Sequence, residues 1–397
     1  MYIEKLDNKG RGICFVDNKI TFVENALVGE DVDIEIIKST KKYNEAKVIK
    51  YNKKSNDREC IKCKYYGMCG GCDLLHMDEA KELEFKLQKV SDILKKFGGI
   101  DFDIKEIICP NTYNYRNKAT FQVNKKLGYF KKKTNDLIEI DNCLLVDNRI
   151  NEIIKEIKKL DLINIEQIII RTSQNEIMII IKCNGKIDDR FSDLSVDSIV
   201  LNKNGSYKII KGSGYIIEEL GNYKFIVQPD SFFQVNSIAS KMLYDKVLEF
   251  ADLKGNEKVL DLYCGTGTIG SYISKYADSV IGVEVNKYAI EDAIKNKKLN
   301  HIRNIDFICS DASNVDLTGF DLVIVDPPRS GLDNKTINYL NTILPEKLIY
   351  VSCDPVTLAR DLKDLSIKYD VLDISLVNMF PRTEHVETIV KLKKRSI

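Results

Sequence analysis

The sequence predicts an α/β protein built around a doubly wound parallel sheet, and three features of its C-terminal half predict this fold. From about residue 226 onward, apolar runs alternate with segments of helical periodicity. A glycine-rich turn, CGTGT at 264–268, follows one run and precedes a predicted helix. Acidic residues end several runs, where ligands of parallel sheets bind. The predicted strands are 258–262, 279–284, 305–309, 322–326 and 347–352.

The chain divides into three predicted domains. Residues 1–55 carry short alternating apolar runs separated by Asn, Asp and Gly, which is typical of a small OB-like β-barrel, a fold that often binds oligonucleotides. Residues 56–225 combine a group of cysteines, a predicted helix at 78–97 and several strands, which predicts a central α+β domain. Residues 226–397 contain the parallel sheet and form the predicted catalytic domain. The strands expected in the central domain include 119–123, 166–171 and 176–182.

Length and composition exclude several classes of protein. At 397 residues the chain exceeds the size at which a single core stops growing, roughly 250 to 300 residues. No run approaches the roughly 18 apolar residues of a membrane span, and the N-terminus lacks a signal peptide's cationic-then-apolar order. We therefore expect a cytoplasmic monomer without membrane contact. In that setting the 11 cysteines predict metal ligands and reactive thiols rather than disulfides.

The net charge of +1 conceals two basic stretches that indicate an RNA partner. Between residues 38 and 58, eight lysines and arginines face two acidic residues, and between 113 and 133 basic residues alternate with tyrosines and phenylalanines. Cations that meet phosphates beside aromatic rings that stack on bases are typical of a surface for single-stranded RNA. Charge alone leaves a solvated lysine-rich face as the alternative.

The glycine-rich turn predicts a nucleotide-cofactor site. Glycines such as Gly265 let the backbone approach a ligand closely, and Glu284, about twenty residues on, can accept hydrogen bonds from ribose hydroxyls. A lone G-x-G fits NAD equally well. Two further acidic strand ends, Asp311 and Asp326, favour S-adenosylmethionine, with Asp311 suited to the adenine edge.

Two motifs near the C-terminus supply a nucleophile and a base. SCDP contains Cys353 and HVET contains Glu387. A thiolate is a strong nucleophile near neutral pH, and a carboxylate can remove a proton once the thiol has added to its substrate. Carbon 5 of uracil takes up a methyl group only after a nucleophile has added to carbon 6, so this pair suits methylation of an unreactive pyrimidine carbon, provided the base leaves its stack. A buried structural cysteine is the alternative for Cys353.

Three motifs, in this order, resemble the RNA uracil-5-methyltransferase family: DPPRSGL at 326–332, YVSCDPVTLARD at 350–361 and HVET at 385–388. The resemblance extends over nearly the whole chain, since residues 1–55 are similar to the family's TRAM domain. It implies a Rossmann-like class I methyltransferase domain with the CGTGT turn as part of its cofactor site. It also implies methyl transfer to carbon 5 of a uridine, with covalent addition of Cys353 to carbon 6 and removal of the carbon 5 proton by Glu387.

The same resemblance assigns cofactor contacts. QPDSFFQVN at 228–236 is similar to the motif in which a glutamine, here Gln234, contacts S-adenosylmethionine. Further contacts are implied for Tyr263, Glu284, Asp311 and Asp326, although Asp326 alternatively touches the uracil. Asp354 departs from the family's usual asparagine, and we expect the added carboxylate to raise the pKa of the neighbouring thiol.

A second group of cysteines predicts a metal site. Cys63, Cys69 and Cys72 lie close together with a Gly-Gly corner before Cys72, and glycines let a chain fold around a cluster. The family resemblance implies a [4Fe-4S] cluster completed by Cys143. The spacing of Cys60 and Cys63 leaves a structural zinc site open as the alternative. In either case the metal is expected to position the RNA-binding domain rather than to take part in methyl transfer.

The presence of both a TRAM-like barrel and a metal cluster favours 23S ribosomal RNA as substrate. Transfer RNA is the first alternative. A methyltransferase acting on an exocyclic amine would need neither Cys353 nor Glu387, and a non-catalytic RNA-binding iron-sulfur protein would transfer no methyl group.

Overall fold

The N-terminal part of the chain forms a small closed β-barrel. The computed structural model describes residues 1–315 and 318–396. Five strands pair in the order β1-β2-β3-β5-β4. A bridge between Tyr2 and Asp31 joins the two edges, and the Val32 N–H donates to the Met1 carbonyl at 3.0 Å. The strands are β1 (Lys5–Leu6), β2 (Gly12–Val16), β3 (Lys19–Glu24), β4 (Asp31–Ser39) and β5 (Tyr43–Lys53).

A seven-stranded mixed sheet follows, in the order β13-β12-β11-β10-β7-β8-β9. One face packs on helix α2 (Asn148–Ile157), whose four buried isoleucines lie at helical spacing. The opposite face contributes Met178, Ile180 and Val200 to the core of the C-terminal sheet. The strands are β7 (Lys118–Asn124), β8 (Lys126–Phe130), β9 (Leu137–Glu139), β10 (Ile165–Thr172), β11 (Ile177–Cys183), β12 (Ser198–Lys203) and β13 (Ser206–Lys211).

The C-terminal part is the predicted doubly wound sheet. Its strand order is β18-β17-β16-β19-β20-β22-β21-β6, in which β22 alone pairs antiparallel to both its neighbours. Buried apolar runs cover both faces, as parallel sheets require. The strands are β16 (Lys258–Leu262), β17 (Ser279–Glu284), β18 (Ile305–Cys309), β19 (Leu322–Val325), β20 (Lys347–Ser352), β21 (Tyr369–Val377) and β22 (Glu387–Lys394). The helices are α3 (Ser237–Ala251), α4 (Thr268–Ile273), α5 (Lys287–Leu299), α6 (Asn334–Ile343) and α7 (Pro355–Leu365).

Residues 79–108 pack with this C-terminal sheet. Helix α1 (Glu79–Ile93) continues into a π-helical turn at Leu94–Gly98 and contributes Val90 and Ile93 to the core around β19 and β20. Strand β6 (Ile107–Ile108) then extends the sheet beside β21. The remaining strands, β14 (Ile216–Leu220) and β15 (Tyr223–Val227), form a hairpin that packs on α5. The division of the chain at residues 55 and 225 stays a prediction.

Across the residues that the structure describes, no helix is both long and apolar enough to cross a bilayer.

Candidate active site

The glycine-rich turn lies at the point where the strand order reverses. Strand β16 has β17 on one side and β19 on the other, so the turn after β16 opens into the crevice between them. Tyr263 has a φ of 62°, in the left-handed region that non-glycine residues avoid, and such strain is concentrated at functional sites. Gly267 has a φ of 76°, and a Cβ there would lie 2.5 Å from the Phe307 ring. Glycine is therefore required at position 267, because a larger residue would collide with the Phe307 ring.

Two predicted cofactor ligands stand beside the turn. The Gly265 N–H donates to Glu284 Oε2 at 3.2 Å, and the Asn286 N–H donates to Oε1 at 2.8 Å, so the carboxylate is fixed at the end of β17. Asp311 follows β18, is exposed, and accepts a hydrogen bond from the Ser313 N–H at 2.8 Å. The hydrogen bonds from Ser313 hold the pKa of Asp311 below its ordinary value. Both side chains offer hydrogen-bond acceptors at the carboxyl edge of the sheet.

Gln234 lies on a loop that two other parts of the chain hold in place. The Asn117 side chain donates to the Gln234 carbonyl at 3.1 Å, and the Asn117 N–H donates to the Val235 carbonyl at 2.8 Å. At the start of the loop, Ser231 Oγ donates to Asp292 on α5 at 2.7 Å. These bonds fix the backbone of Gln234, whose side chain is partly exposed.

Two acids with raised pKa values, the partly exposed Asp326 and the buried Asp261, lie near each other at this edge of the sheet. Burial raises the pKa of Asp326 to about 7. Asp261, on β16, is fully buried; burial raises its pKa to about 8, and its Oδ1 has no hydrogen-bond partner among the described residues. We did not single out Asp261 from the sequence, although a carboxylate within an apolar strand is itself a signal.

Strand register brings Cys353 and Glu387 together. Ser352 at the end of β20 pairs with Thr388 in antiparallel β22. Because the strands run in opposite directions, Cys353, which follows Ser352, lies opposite Glu387, which precedes Thr388. Cys353 is partly buried and Glu387 is only 3% exposed. The sequence separates these residues by 34 positions, and the sheet makes them neighbours.

The charges around this pair set its protonation. Burial, then the Glu387 and Asp326 carboxylates, raise the pKa of the Cys353 thiol to about 11. Burial, then Asp326, raise the pKa of Glu387 to about 8. Arg329 lowers both pKa values. It lies in the DPPR segment, but we did not predict this role from the sequence.

Asp354 has a different role from the one expected. Its side chain caps helix α7, accepting hydrogen bonds from the Val356 N–H at 2.9 Å and the Thr357 N–H at 3.0 Å. The largest contributions to the raised pKa of Cys353 come from burial, Glu387 and Asp326. Asp354 therefore serves the helix N-terminus, where aspartate and asparagine are equally good caps.

The predicted metal ligands lie near one another. Burial raises the pKa of Cys72, and the thiols of Cys143, Cys69 and Cys63 raise it further. Cys63, Cys69 and Cys72 lie on one loop. Tyr65 on this loop donates a hydrogen bond from its hydroxyl to Asp141 Oδ2, just before Cys143, at 2.9 Å. Within residues 1–315 and 318–396, however, no three histidine, cysteine or acidic side chains are placed to hold a metal ion together. Cys60 is exposed.

Each basic stretch has a cation that pairs with an acid of the protein itself. The Arg58 side chain is 8% exposed and pairs with Glu30, whereas the exposed Lys133 pairs with Glu24 and Glu45 on the barrel.

Lys118 belongs to a separate cationic group beside the Gln234 loop. It lies opposite Arg171 in the pairing of β7 with β10, and like charges directly opposite repel. Burial, then the neighbouring Arg171 and Arg116, lower the pKa of Lys118 to about 8. Arg171 is 4% exposed, and its Nε has no hydrogen-bond partner among the described residues. The aromatic ring of Phe232, 72% exposed, lies on the loop next to this group.

Comparisons with known proteins agree with this geometry. A family described as tRNA (Uracil-5-)-methyltransferase matches residues 78–395, and the TRAM domain matches residues 2–49. An "uncharacterized RNA methyltransferase" of Clostridium tetani is 37% identical over 436 aligned positions, covering 98% of this chain and 95% of that protein. One of Clostridium acetobutylicum is 36% identical over 444 positions, covering 99% and 96%.

A solved structure is similar over its full length. The crystal structure of Pyrococcus abyssi tRNA (uracil-54, C5)-methyltransferase in complex with S-adenosyl-L-homocysteine matches with a TM-score of 0.82 at 31% identity. The match covers 99% of each chain, and so includes all three parts of the fold.

Proposed function

Because the chain belongs to the tRNA (uracil-5-)-methyltransferase family, we propose that it methylates carbon 5 of a uridine in RNA through Cys353 and Glu387. The observation that carries the proposal is the pairing of Ser352 with Thr388, which places the thiol against the carboxylate. A methyltransferase acting on an exocyclic amine has no use for that pair. A non-catalytic RNA-binding protein has no use for a buried carboxyl group, Glu387, beside a thiol.

S-adenosylmethionine supplies an electrophilic methyl group on a positively charged sulfur. Tyr263, Gly265, Glu284 and Asp311 are proposed to hold it, because they lie at the carboxyl edge around the turn. Gln234 is proposed as a further ligand because the family resemblance assigns it that role. Asp326 lies between this set and the thiol and is proposed to contact either the cofactor or the uracil.

The chain's own residues carry out four changes. Cys353 Sγ forms a bond to carbon 6 of uracil, and the electron pair displaced onto carbon 5 attacks the methyl group, whose bond to the donor sulfur breaks so that S-adenosylhomocysteine leaves. Glu387 then takes the proton from carbon 5, the carbon–sulfur bond breaks, and the thiolate is regenerated. In the resting protein the pKa of the thiol is about 11, so it is protonated at neutral pH. Positive charge in the site, from Arg329 and from the bound donor, favours the thiolate.

The test is transfer of labelled methyl groups from S-adenosylmethionine to RNA that lacks the modification, followed by nucleoside analysis. Label in 5-methyluridine is the expected result. Label in a base methylated on an exocyclic amine, or no label with folded protein, would overturn the proposal. Cys353→Ala serves as the control that must abolish the label.

We propose ribosomal RNA, specifically 23S, as the first substrate and transfer RNA as the second. The barrel together with the cysteine group supports ribosomal RNA. The Pyrococcus enzyme, whose substrate is named as tRNA, aligns over 99% of this chain, so a barrel of this kind also occurs in a tRNA enzyme. Separating the labelled RNA by size decides between them. Lys118 and Arg116 are proposed to meet RNA phosphate beside the site, where the buried Arg171 adds positive charge to the same group.

We also propose that Cys63, Cys69, Cys72 and Cys143 hold a [4Fe-4S] cluster. The thiols of Cys143, Cys69 and Cys63 all raise the pKa of Cys72, which supports this set, and the exposed Cys60 is less suited to the zinc alternative. Four thiolates are the donors that such a cluster takes. Iron and zinc analysis of protein purified without oxygen distinguishes the two, and absence of both metals would remove the proposal.

A further inference from the structure

The loop that ends at Glu387 is held by buried charged side chains from a distant helix. This β21–β22 loop comprises residues 378–386 and lies between Val377, the last residue of β21, and Glu387, the first of β22. Helix α1 lies about 300 residues earlier in the sequence, and its side chains form hydrogen bonds with this loop. Three side chains on α1, Glu82, Lys86 and Lys89, are spaced i, i+4 and i+7 and so share one helix face.

Lys86 forms hydrogen bonds to the start of the loop. It is fully buried, and its Nζ donates to Asn378 Oδ1 at 2.7 Å and to the Phe380 carbonyl at 3.2 Å. It also donates to Glu82 Oε1 at 2.8 Å. A fully buried lysine is rare, since removing an ammonium group from water is costly unless it is paired.

Glu82 grips the start and the middle of the same loop. Its Oε1 accepts hydrogen bonds from Asn378 Nδ2 at 3.2 Å and from the Arg382 N–H at 3.0 Å. Arg382 is itself fully buried with a φ of 66°, and its Nη1 donates to the Met77 carbonyl at 2.7 Å. The strained backbone at Arg382 is therefore held by bonds on both sides.

Lys89 grips the end of the loop, three residues before the base. Its Nζ donates to the Glu384 carbonyl at 2.8 Å. The loop has little regular structure of its own, so these contacts, together with the hydrogen bonds that the Asp73 and Leu74 N–H groups donate to the Arg382 carbonyl, hold the segment that leads into β22. By contrast, Cys353 sits between β20 and the capped start of α7, where Asp354 supplies the cap.

We propose that Glu82, Lys86 and Lys89 of α1 are positioning residues that set the place of the base Glu387 independently of the thiol Cys353. The proposal rests on the proposed function, in which Cys353 adds to the uracil and Glu387 removes the proton. It predicts that damage to the α1 face slows proton removal more than it slows thiol addition. A methylated RNA–protein adduct must then accumulate, because addition continues while elimination stalls.

The experiment compares Lys86→Met and Lys89→Met with wild type in anaerobically purified, full-length protein. Two rates are measured: formation of the RNA adduct that survives denaturing electrophoresis, and release of 5-methyluridine RNA. We expect release to slow by about 10- to 100-fold, as for a base displaced by about 1 Å, with adduct formation within about threefold of wild type. The affinity for S-adenosylmethionine should change by less than about twofold, since its proposed ligands lie elsewhere.

Matched controls separate positioning from folding. Lys81→Met changes a lysine on α1 that faces Glu84 and should behave as wild type. Glu384→Gln keeps the carbonyl that Lys89 binds, and Lys89→Arg keeps a donor, so both should retain fast release. Lys86→Met can prevent folding because it leaves Glu82 with a weaker partner, and Lys89→Met, whose side chain is 9% exposed, then carries the test.

Equal slowing of adduct formation and release in folded Lys89→Met would overturn the proposal, as would wild-type release. Failure of the proposed function looks different, because wild-type protein would then give neither adduct nor 5-methyluridine.

Discussion

Cys353 and Cys72 are both partly buried thiols, but their neighbours differ. Cys353 stands beside Glu387, Asp326 and Arg329, whereas the pKa of Cys72 is raised by other thiols. Burial is the largest cause of the raised pKa in both. A single thiol among carboxylates and one cation suits nucleophilic addition with proton transfer, while thiols that face one another suit shared metal binding. Neighbours, rather than the cysteine itself, therefore assign the chemistry.

Removal of the single thiol should have the largest effect. Cys353→Ala deletes the atom that adds to carbon 6, so methyl transfer should fall below detection while cofactor affinity stays within about twofold of wild type. Single-turnover assays with labelled S-adenosylmethionine measure the first, and equilibrium titration the second. Residual methyl transfer above a hundredth of the wild-type rate would mean that Cys353 is not the nucleophile.

Removal of the neighbouring carboxylate should separate the two halves of the reaction. Glu387→Gln preserves shape but cannot accept a proton, so product release should slow by about 10²- to 10⁴-fold. The methylated covalent adduct should accumulate, and denaturing electrophoresis of labelled RNA measures it. Normal release would assign proton removal to another group.

The pH profile tests the charges around Cys353. Glu387 works as a base only when ionised, and its pKa of about 8 means that acid inactivates it. The thiol, with a pKa of about 11, must also lose its proton, so both groups favour higher pH. Turnover should rise at least about tenfold from pH 6 to pH 7, measured as single-turnover rates at saturating cofactor. A flat profile in this range would show that the carboxylate is already ionised when substrate is bound.

The cysteine group should respond differently. Cys72→Ser should lose most bound iron and lower methyl transfer by less than about tenfold, since the cluster is proposed to position RNA rather than to react. Cys60→Ser should keep its iron. Metal analysis and the same transfer assay measure both, and loss of zinc from both variants would favour the zinc alternative.

Asp354→Asn should have the smallest effect. Asparagine caps a helix as well as aspartate, so only the charge at the start of α7 is lost, which lowers stability by less than about 1 kcal/mol. Turnover should stay within about twofold of wild type, measured beside thermal unfolding. A rise above that range would mean that the Asp354 carboxylate does restrain the thiol.

Residues near in sequence were predicted well from the sequence. The alternation of strands and helices, the turn after β16 and the motifs containing Cys353 and Glu387 follow from local periodicity and spacing, which the folded chain preserves. The barrel was predictable for the same reason. The roles of Arg329 and Asp261 were not, because both depend on which carboxylates lie beside them after folding.

The sequence by itself determined the doubly wound fold and the residues that can do the chemistry, because apolar periodicity and reactive side chains are written along the chain. Only the tertiary structure decided which of them meet. Strand β22 runs antiparallel to β20, which brings Glu387 beside Cys353. The packing of α1 buries Glu82 and Lys86 beneath the loop before Glu387. In sequence that pair looks like an ordinary solvated i, i+4 ion pair, since spacing on a helix does not reveal which face is covered.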